Sequence, residues 1–178
     1  MSVEIIFETH STSVDNENGI ASGWRDIPLS ATGREQAKEL GERRRHERID
    51  AVFCSDLRRA VETAEIAFGG RVDTYPDHRL REYDYGTMTG APSVRIRKEL
   101  ARRVDEAFPE GESLRDVVER MRPFVSELAS TWDGKRVVVI GHIGTRLALD
   151  HLVGGLSLEE AASAPFEWQP GWEYVIRP

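Results

Sequence analysis

Two histidines and an arginine in this chain each stand just beyond a short apolar run. His10 closes Val3-Glu4-Ile5-Ile6-Phe7-Glu8-Thr9, His142 closes Arg136-Val137-Val138-Val139-Ile140-Gly141, and Arg59 comes soon after Ala51-Val52-Phe53-Cys54. Parallel sheets gather their strand ends at one edge, and ligands bind in the crevice there. Two imidazoles and a guanidinium at such an edge suit an anion, a phosphoryl group above all. A guanidinium forks onto its oxygens, and an imidazole can attack phosphorus.

The elements that must position these residues are legible in outline. Short apolar runs alternate with longer amphipathic stretches, the pattern of a layered α/β domain. Strands are predicted over 3–8, 51–54, 72–75, 136–141 and 172–176. Val137-Val138-Val139-Ile140 shows no polar alternation, so it should be covered on both faces, as central parallel strands are. Thr32-Gly33-Arg34-Glu35 reads as a capping box opening a helix from about Gly33 towards Arg45. Ser55 is expected to cap a second helix running through Phe68 to Gly69-Gly70. Ser113 opens a third, with Leu114, Val117, Val118, Met121, Phe124, Val125 and Leu128 at helical spacing. Pro123 falls inside that helix, where a kink is expected. A fourth follows His142 as far as Gly154-Gly155. Two long polar connections, 11–31 and 84–112, are the candidate binding loops; the second, with its glycines, Pro92 and a basic stretch, is the expected lid.

Composition narrows the partners. The chain has 178 residues, enough for one core and one domain over 1–178. It carries 24 basic and 31 acidic residues, net −7, which gives nucleic acid no support as a partner. No apolar run is long enough for a transmembrane helix, and Met1-Ser2-Val3-Glu4 does not open like a signal peptide. The single cysteine, Cys54, reads as a small buried thiol. A cytoplasmic protein is therefore expected, without a membrane partner. Oligomeric state is not readable.

The motifs, taken in order, resemble the histidine phosphatase superfamily, whose namesake is the cofactor-dependent phosphoglycerate mutase. They are Thr9-His10-Ser11-Thr12-Ser13-Val14-Asp15-Asn16, then Gly23-Trp24-Arg25-Asp26-Ile27-Pro28-Leu29-Ser30 with Gly33 and Gln36-Ala37, then Ser55-Asp56-Leu57-Arg58-Arg59-Ala60-Val61-Glu62-Thr63-Ala64. Leu80-Arg81-Glu82-Tyr83-Asp84-Tyr85-Gly86, Pro109-Glu110-Gly111-Glu112-Ser113 and Gly141-His142-Ile143-Gly144 complete the set. The resemblance implies a three-layer α/β/α sandwich with a mostly parallel central sheet. It implies His10 as nucleophile, Glu82 as proton donor, and His142 as second imidazole. Arg59, His142 and Asn16 would bind phosphate. The first motif departs from the family pattern: its usual arginine is Thr9 and its glycine is Ser11. Arg146 and Arg25, both near the motifs, are the expected candidates to supply the missing guanidinium.

The roles the resemblance implies would support a mechanism. Neutral His10 would attack phosphorus in line, Arg59 and a protonated His142 would hold the equatorial oxygens, and Glu82, if burial near phosphate raises its pKa, would protonate the leaving alcohol. No metal or cofactor is expected. The sequence lacks His-Glu-x-x-His, paired Cys-x-x-Cys and a P-loop. The predicted function is hydrolysis of a phosphomonoester of a small metabolite through a phosphohistidine. The alternatives are a weakly active or inactive member that binds phosphorylated ligands or partners, and, fitting less well, a phosphoglycerate-type mutase. Each residue also has a plainer role: Asn16 can stabilise a turn, Arg59 can be a surface charge, and Glu82 a solvated loop acid. His151 beside Asp150 reads as structural, and His46 and His78 as surface residues. The run Arg95, Arg97, Lys98, Arg102, Arg103 reads as a solvated face, or else as a clamp for the far end of an acidic substrate.

Overall fold

A computed structural model describes residues 2–177; Met1 and Pro178 lie outside the described residues. Five strands form one sheet: β1 Val3–Thr9, β2 Ala51–Ser55, β3 Thr74–Asp77, β4 Arg136–Gly141 and β5 Trp172–Ile176, in the order β3-β2-β4-β1-β5. All neighbours are parallel except β5, which runs antiparallel to β1 at the edge. The unbroken apolar runs sit where expected. In β2 all five residues are buried, and in β4 all but the first.

Alternate residues of these strands feed two cores. Ile5, Phe7, Phe53, Val137 and Val139 pack with α5 (Leu114–Thr131), α6 (Ile143–Leu152) and α7 (Leu158–Ser163). Ile6, Val52, Cys54, Val138 and Ile140 pack with α2 (Ala31–Arg43) and α3 (Arg58–Phe68). Helices on both faces of a mostly parallel sheet make the expected α/β/α sandwich. Full burial of each large aliphatic or phenyl side chain contributes about 1.5–3 kcal/mol.

The elements differ from the sequence reading mainly at their starts. α2 begins earlier, because Ser30 rather than Thr32 is the cap: its hydroxyl accepts from the Gly33 amide at 3.0 Å. Gly33 itself lies against the preceding motif, where a Cβ would overlap the Thr12 carbonyl oxygen. α3 is not capped by Ser55. Leu57 is the cap residue, and the Arg58 amide instead donates to Asp26 Oδ1 at 2.8 Å across the fold. β3 starts two residues late, because the Arg71 and Val72 amides turn back to the Phe68 carbonyl to finish α3. α5 opens at Ser113 as expected, with a reciprocal cap to Asp116, and runs as one element through Pro123. The loop 11–31 holds a short helix, α1 (Val14–Glu17), that the sequence reading lacks. Residues 84–112 contain α4 (Ser93–Glu99) between short 3-10 turns.

Candidate active site

The sheet register alone places the two histidines side by side. Thr9 pairs with Gly141 in the parallel β1–β4 ladder, so His10 and His142 are the next residues at the C-terminal strand ends. The ladder continues one step, with the His10 amide donating to the Gly141 carbonyl at 3.0 Å. The ring centroids are 5.0 Å apart and tilted by 54°.

Backbone and side-chain partners fix the tautomers. His10 Nδ1 lies 2.7 Å from the Ser11 carbonyl oxygen. A carbonyl only accepts, so Nδ1 carries the proton and Nε2 the lone pair. Burial, first, and then Arg59 hold the His10 imidazole down to about 3. His10 is therefore neutral and nucleophilic at ordinary pH. His142 Nδ1 lies 3.4 Å from Arg59 Nη2, which can only donate, so His142 carries its proton on Nε2. That Nε2 is buried without a protein partner, an N–H free for a ligand oxygen. Burial, Arg59 and His10 push His142 well below its ordinary value. It is thus a neutral donor and not the protonated imidazole the sequence reading expected.

Arg59 comes from the first turn of α3 and is 2 % exposed. Its guanidinium donates to the Gly23 carbonyl at 2.8 Å and the Arg25 carbonyl at 3.0 Å. Thr63, one turn on, links the same helix to the nucleophile loop: its Oγ1 accepts from the Ser11 amide and donates to the Arg59 carbonyl.

Glu82 is buried, and burial raises its carboxyl above the ordinary value despite two amide donors. Those donors, Tyr83 and Gly144, both reach Oε1 at 2.9 Å. Gly144 has to be glycine here, since a Cβ would come within 2.8 Å of Oε1. The Glu82 backbone is held from two sides. Its carbonyl accepts from Trp24 Nε1 at 2.7 Å and from Arg120 Nη2 at 2.9 Å.

His10, His142, Arg59, Glu82 and Asn16 all line one cavity of about 190 Å³, whose lining also includes Tyr85, Ile96, Arg97 and Trp168. A second cavity of about 490 Å³ adjoins it and shares Thr9, His10 and Arg97. Asn16 also fills its plainer role: Oδ1 accepts from the Ser13 amide in a capping box that starts α1.

The two expected substitute cations do not line the cavity. Arg146 lies along α6, 3.3 Å from Asp150 Oδ2 one turn on, and stacks over Trp172 with its centre 4.9 Å from the ring. Arg25 is half exposed and faces Asp15 at 3.4 Å; only its carbonyl serves the site, by holding Arg59. Each instead faces a carboxylate that is itself largely buried, Asp150 for Arg146 and Asp15 for Arg25.

Several residues beneath the site were not singled out from sequence. Arg120 gathers the Arg79, Arg81 and Glu82 carbonyls and pairs with Glu112 at 2.8 Å. Thr145 ties the start of α6 to the Leu80 carbonyl at 2.9 Å. An arginine on a helix facing a loop gives no local signal of such a role; Thr145 could have been found as the residue three after His142, where a helix start needs an acceptor. The basic run divides. Arg103 is buried between Glu99 and Glu106, Arg102 faces Glu99, and only Arg97 reaches the cavities. His151 makes its structural bond, Nδ1 to the Leu156 carbonyl at 2.8 Å, and His46 and His78 are exposed. Cys54 is a buried thiol pushed up to about 12 by burial.

A paired-imidazole cavity with a buried guanidinium and a buried carboxyl, at the strand ends of this sandwich, defines a class of phosphate-handling α/β proteins. The histidine phosphatase superfamily (branch 1) model matches residues 5–169, and the chain belongs to that family. A 2,3-bisphosphoglycerate-dependent phosphoglycerate mutase of Bifidobacterium longum is 29% identical over 203 residues, spanning 91% of this chain and 81% of the relative. Among solved structures, YhfR of Bacillus stearothermophilus superposes with a TM-score of 0.84 at 27% identity, covering 98% of this chain and 91% of that one. A mycobacterial glucosyl-3-phosphoglycerate phosphatase superposes at 0.79 with 26% identity, covering 92% and 84%. Among the described residues, no helix is long and apolar enough to cross a membrane.

Proposed function

We propose that the protein hydrolyses a phosphomonoester of a small metabolite, through a phosphohistidine on His10. The observation that carries this reading is the His10 tautomer. The Ser11 carbonyl holds the proton on Nδ1 and leaves the Nε2 lone pair in a cavity shared with Arg59, His142 and Glu82.

In the first step Nε2 attacks phosphorus in line, and the phosphorus–oxygen bond to the alcohol breaks. Glu82, whose carboxyl burial shifts towards its protonated form, gives its proton to the departing oxygen. Arg59 and the unpaired His142 Nε2–H hold oxygens on which charge accumulates. In the second step water attacks phosphorus, its proton returns to Glu82, and the phosphorus–nitrogen bond breaks to restore His10. The hydrolase reading is preferred to the mutase named among the relatives because re-attack requires the product to be retained. The cavity's one deeply buried cation, Arg59, is already shared with two backbone carbonyls.

The test is a rapid alkaline quench after brief exposure to labelled aryl phosphate. Phosphoramidates survive base, so label is expected on His10 and absent in His10→Ala. Label on serine, or turnover with no trapped label and no loss in His10→Ala, would overturn the reading.

A further inference from the structure

We infer that Arg97, on α4, is the second phosphate-binding cation of this site and does the work for which the strand end before His10 supplies only Thr9. This rests on the phosphohydrolase reading for its ligand class, an oxyanion such as a phosphoryl group.

The charge balance of the cavity motivates it. A phosphate monoester carries about −1.5 to −2 at neutral pH. Besides the imidazoles of His10 and His142 and the Tyr85 phenol, the lining offers three ionisable groups: Arg59, Arg97 and Glu82. His10 and His142 are held neutral, and Glu82 is pushed towards its neutral acid by burial. Arg59 alone therefore leaves about one negative charge without a partner, in a site where burial already makes even its guanidinium harder to charge. Such a deficit would disfavour the ligand strongly.

Arg97 is placed to remove it. It lines both cavities that contain His10. Its guanidinium makes no hydrogen bond or ion pair among the described residues, whereas Arg25, Arg43 and Arg146 face Asp15, Glu8 and Asp150. Its charge is felt by the buried Tyr85 hydroxyl in the wall beside Glu82. Ile96, 2 % exposed in the hydrophobic core, anchors α4 at the preceding position. The side chain is thus exposed and unpaired while its base is fixed. An arginine from β1 would be preorganised; one from α4 binds from the mouth, remains in contact with solvent, and is screened by salt.

The experiment measures binding of inorganic phosphate by calorimetry at two ionic strengths, alongside turnover of p-nitrophenyl phosphate. Arg97→Ala should weaken phosphate binding and lower kcat/KM by on the order of ten- to a hundredfold, the loss of one charge-assisted contact. It should also flatten the salt dependence of phosphate binding. Arg97→Lys should recover part of the loss. Lys98→Ala, the next residue on the helix, should match the wild type. Thr9→Arg should restore binding in the Arg97→Ala background. Arg97→Ala within twofold of wild type in phosphate affinity, with unchanged salt dependence, would overturn the inference. If the wild type binds phosphate in an Arg97-dependent way without turning over aryl phosphate, the hydrolase reading fails and this inference stands. If it turns over substrate and Arg97→Ala does so equally, the inference fails alone. No phosphate binding by the wild type would overturn both.

Discussion

At His10 the decisive partner is a backbone carbonyl and not an acid. The Ser11 oxygen selects the tautomer, so no carboxylate is needed to orient the ring. Glu82 shows the complementary arrangement: two amides fix Oε1, and burial keeps the group protonated to higher pH than a solvated glutamate. A general acid works in its protonated form, so rate should fall as pH rises through the raised Glu82 value. On the acid side His10 remains unprotonated down to about 3. Glu82→Gln keeps an amide-accepting oxygen and should fold normally. It should slow alkyl phosphates by about 10²–10⁴-fold, slow p-nitrophenyl phosphate far less, and abolish the alkaline limb. Comparing kcat for the two substrates checks this; equal losses would remove Glu82 from the proton-donor role.

The elements matter through their starts, because that is where the site is built. The turn from β4 into α6 brings His142, Gly144 and Thr145 under Glu82 within one helical turn, and the turn from β2 into α3 delivers Arg59. Close approach sets the residue types there. Gly144→Ala would place a methyl group against the Glu82 carboxyl and its amide contact. Turnover of alkyl phosphates should drop about tenfold or more, from the misplaced acid, while phosphate affinity changes little. Steady-state kinetics beside phosphate calorimetry separates the two effects. Equal losses in both would mean that the whole turn had shifted.

For the whole molecule, the buried imidazoles link the site to stability. Both histidines have depressed folded-state values, His10 from 6.5 to about 3. Above the unfolded value neither state is protonated, and the contribution to stability is complete. As pH falls through that window the unfolded chain takes up protons that the folded chain refuses, so stability is lost. Glu82 acts with the opposite sign, since its raised value favours the folded state in acid and costs stability as pH rises. Denaturant midpoints between about pH 7 and about pH 4 should therefore fall less in His10→Gln, and less again in His10→Gln with His142→Gln, than in the wild type. An unchanged slope in the double variant would show that the histidines do not contribute.

What the sequence determined by itself was the scaffold and which residues stand at its strand ends. The unalternating run of β4, the cap at Ser113 and the placement of His10 and His142 at strand ends are local properties, and local chemistry predicts them. The ladder between β1 and β4 then had no choice but to set the histidines side by side. Only tertiary structure decided where the long cationic side chains went. From sequence Arg146 is a candidate to replace the missing guanidinium, and Arg97 only one of a basic run that reads as a solvated face or a clamp. Asp150 and Trp172 capture the first, while α4 leaves the second over the cavity. The helix starts follow the same logic: Asp26 caps α3 from across the fold, and Ser30 takes the cap expected of Thr32. A flexible side chain goes to whichever opposite charge or open donor is nearest in space, and that neighbour is set by packing that sequence spacing does not contain.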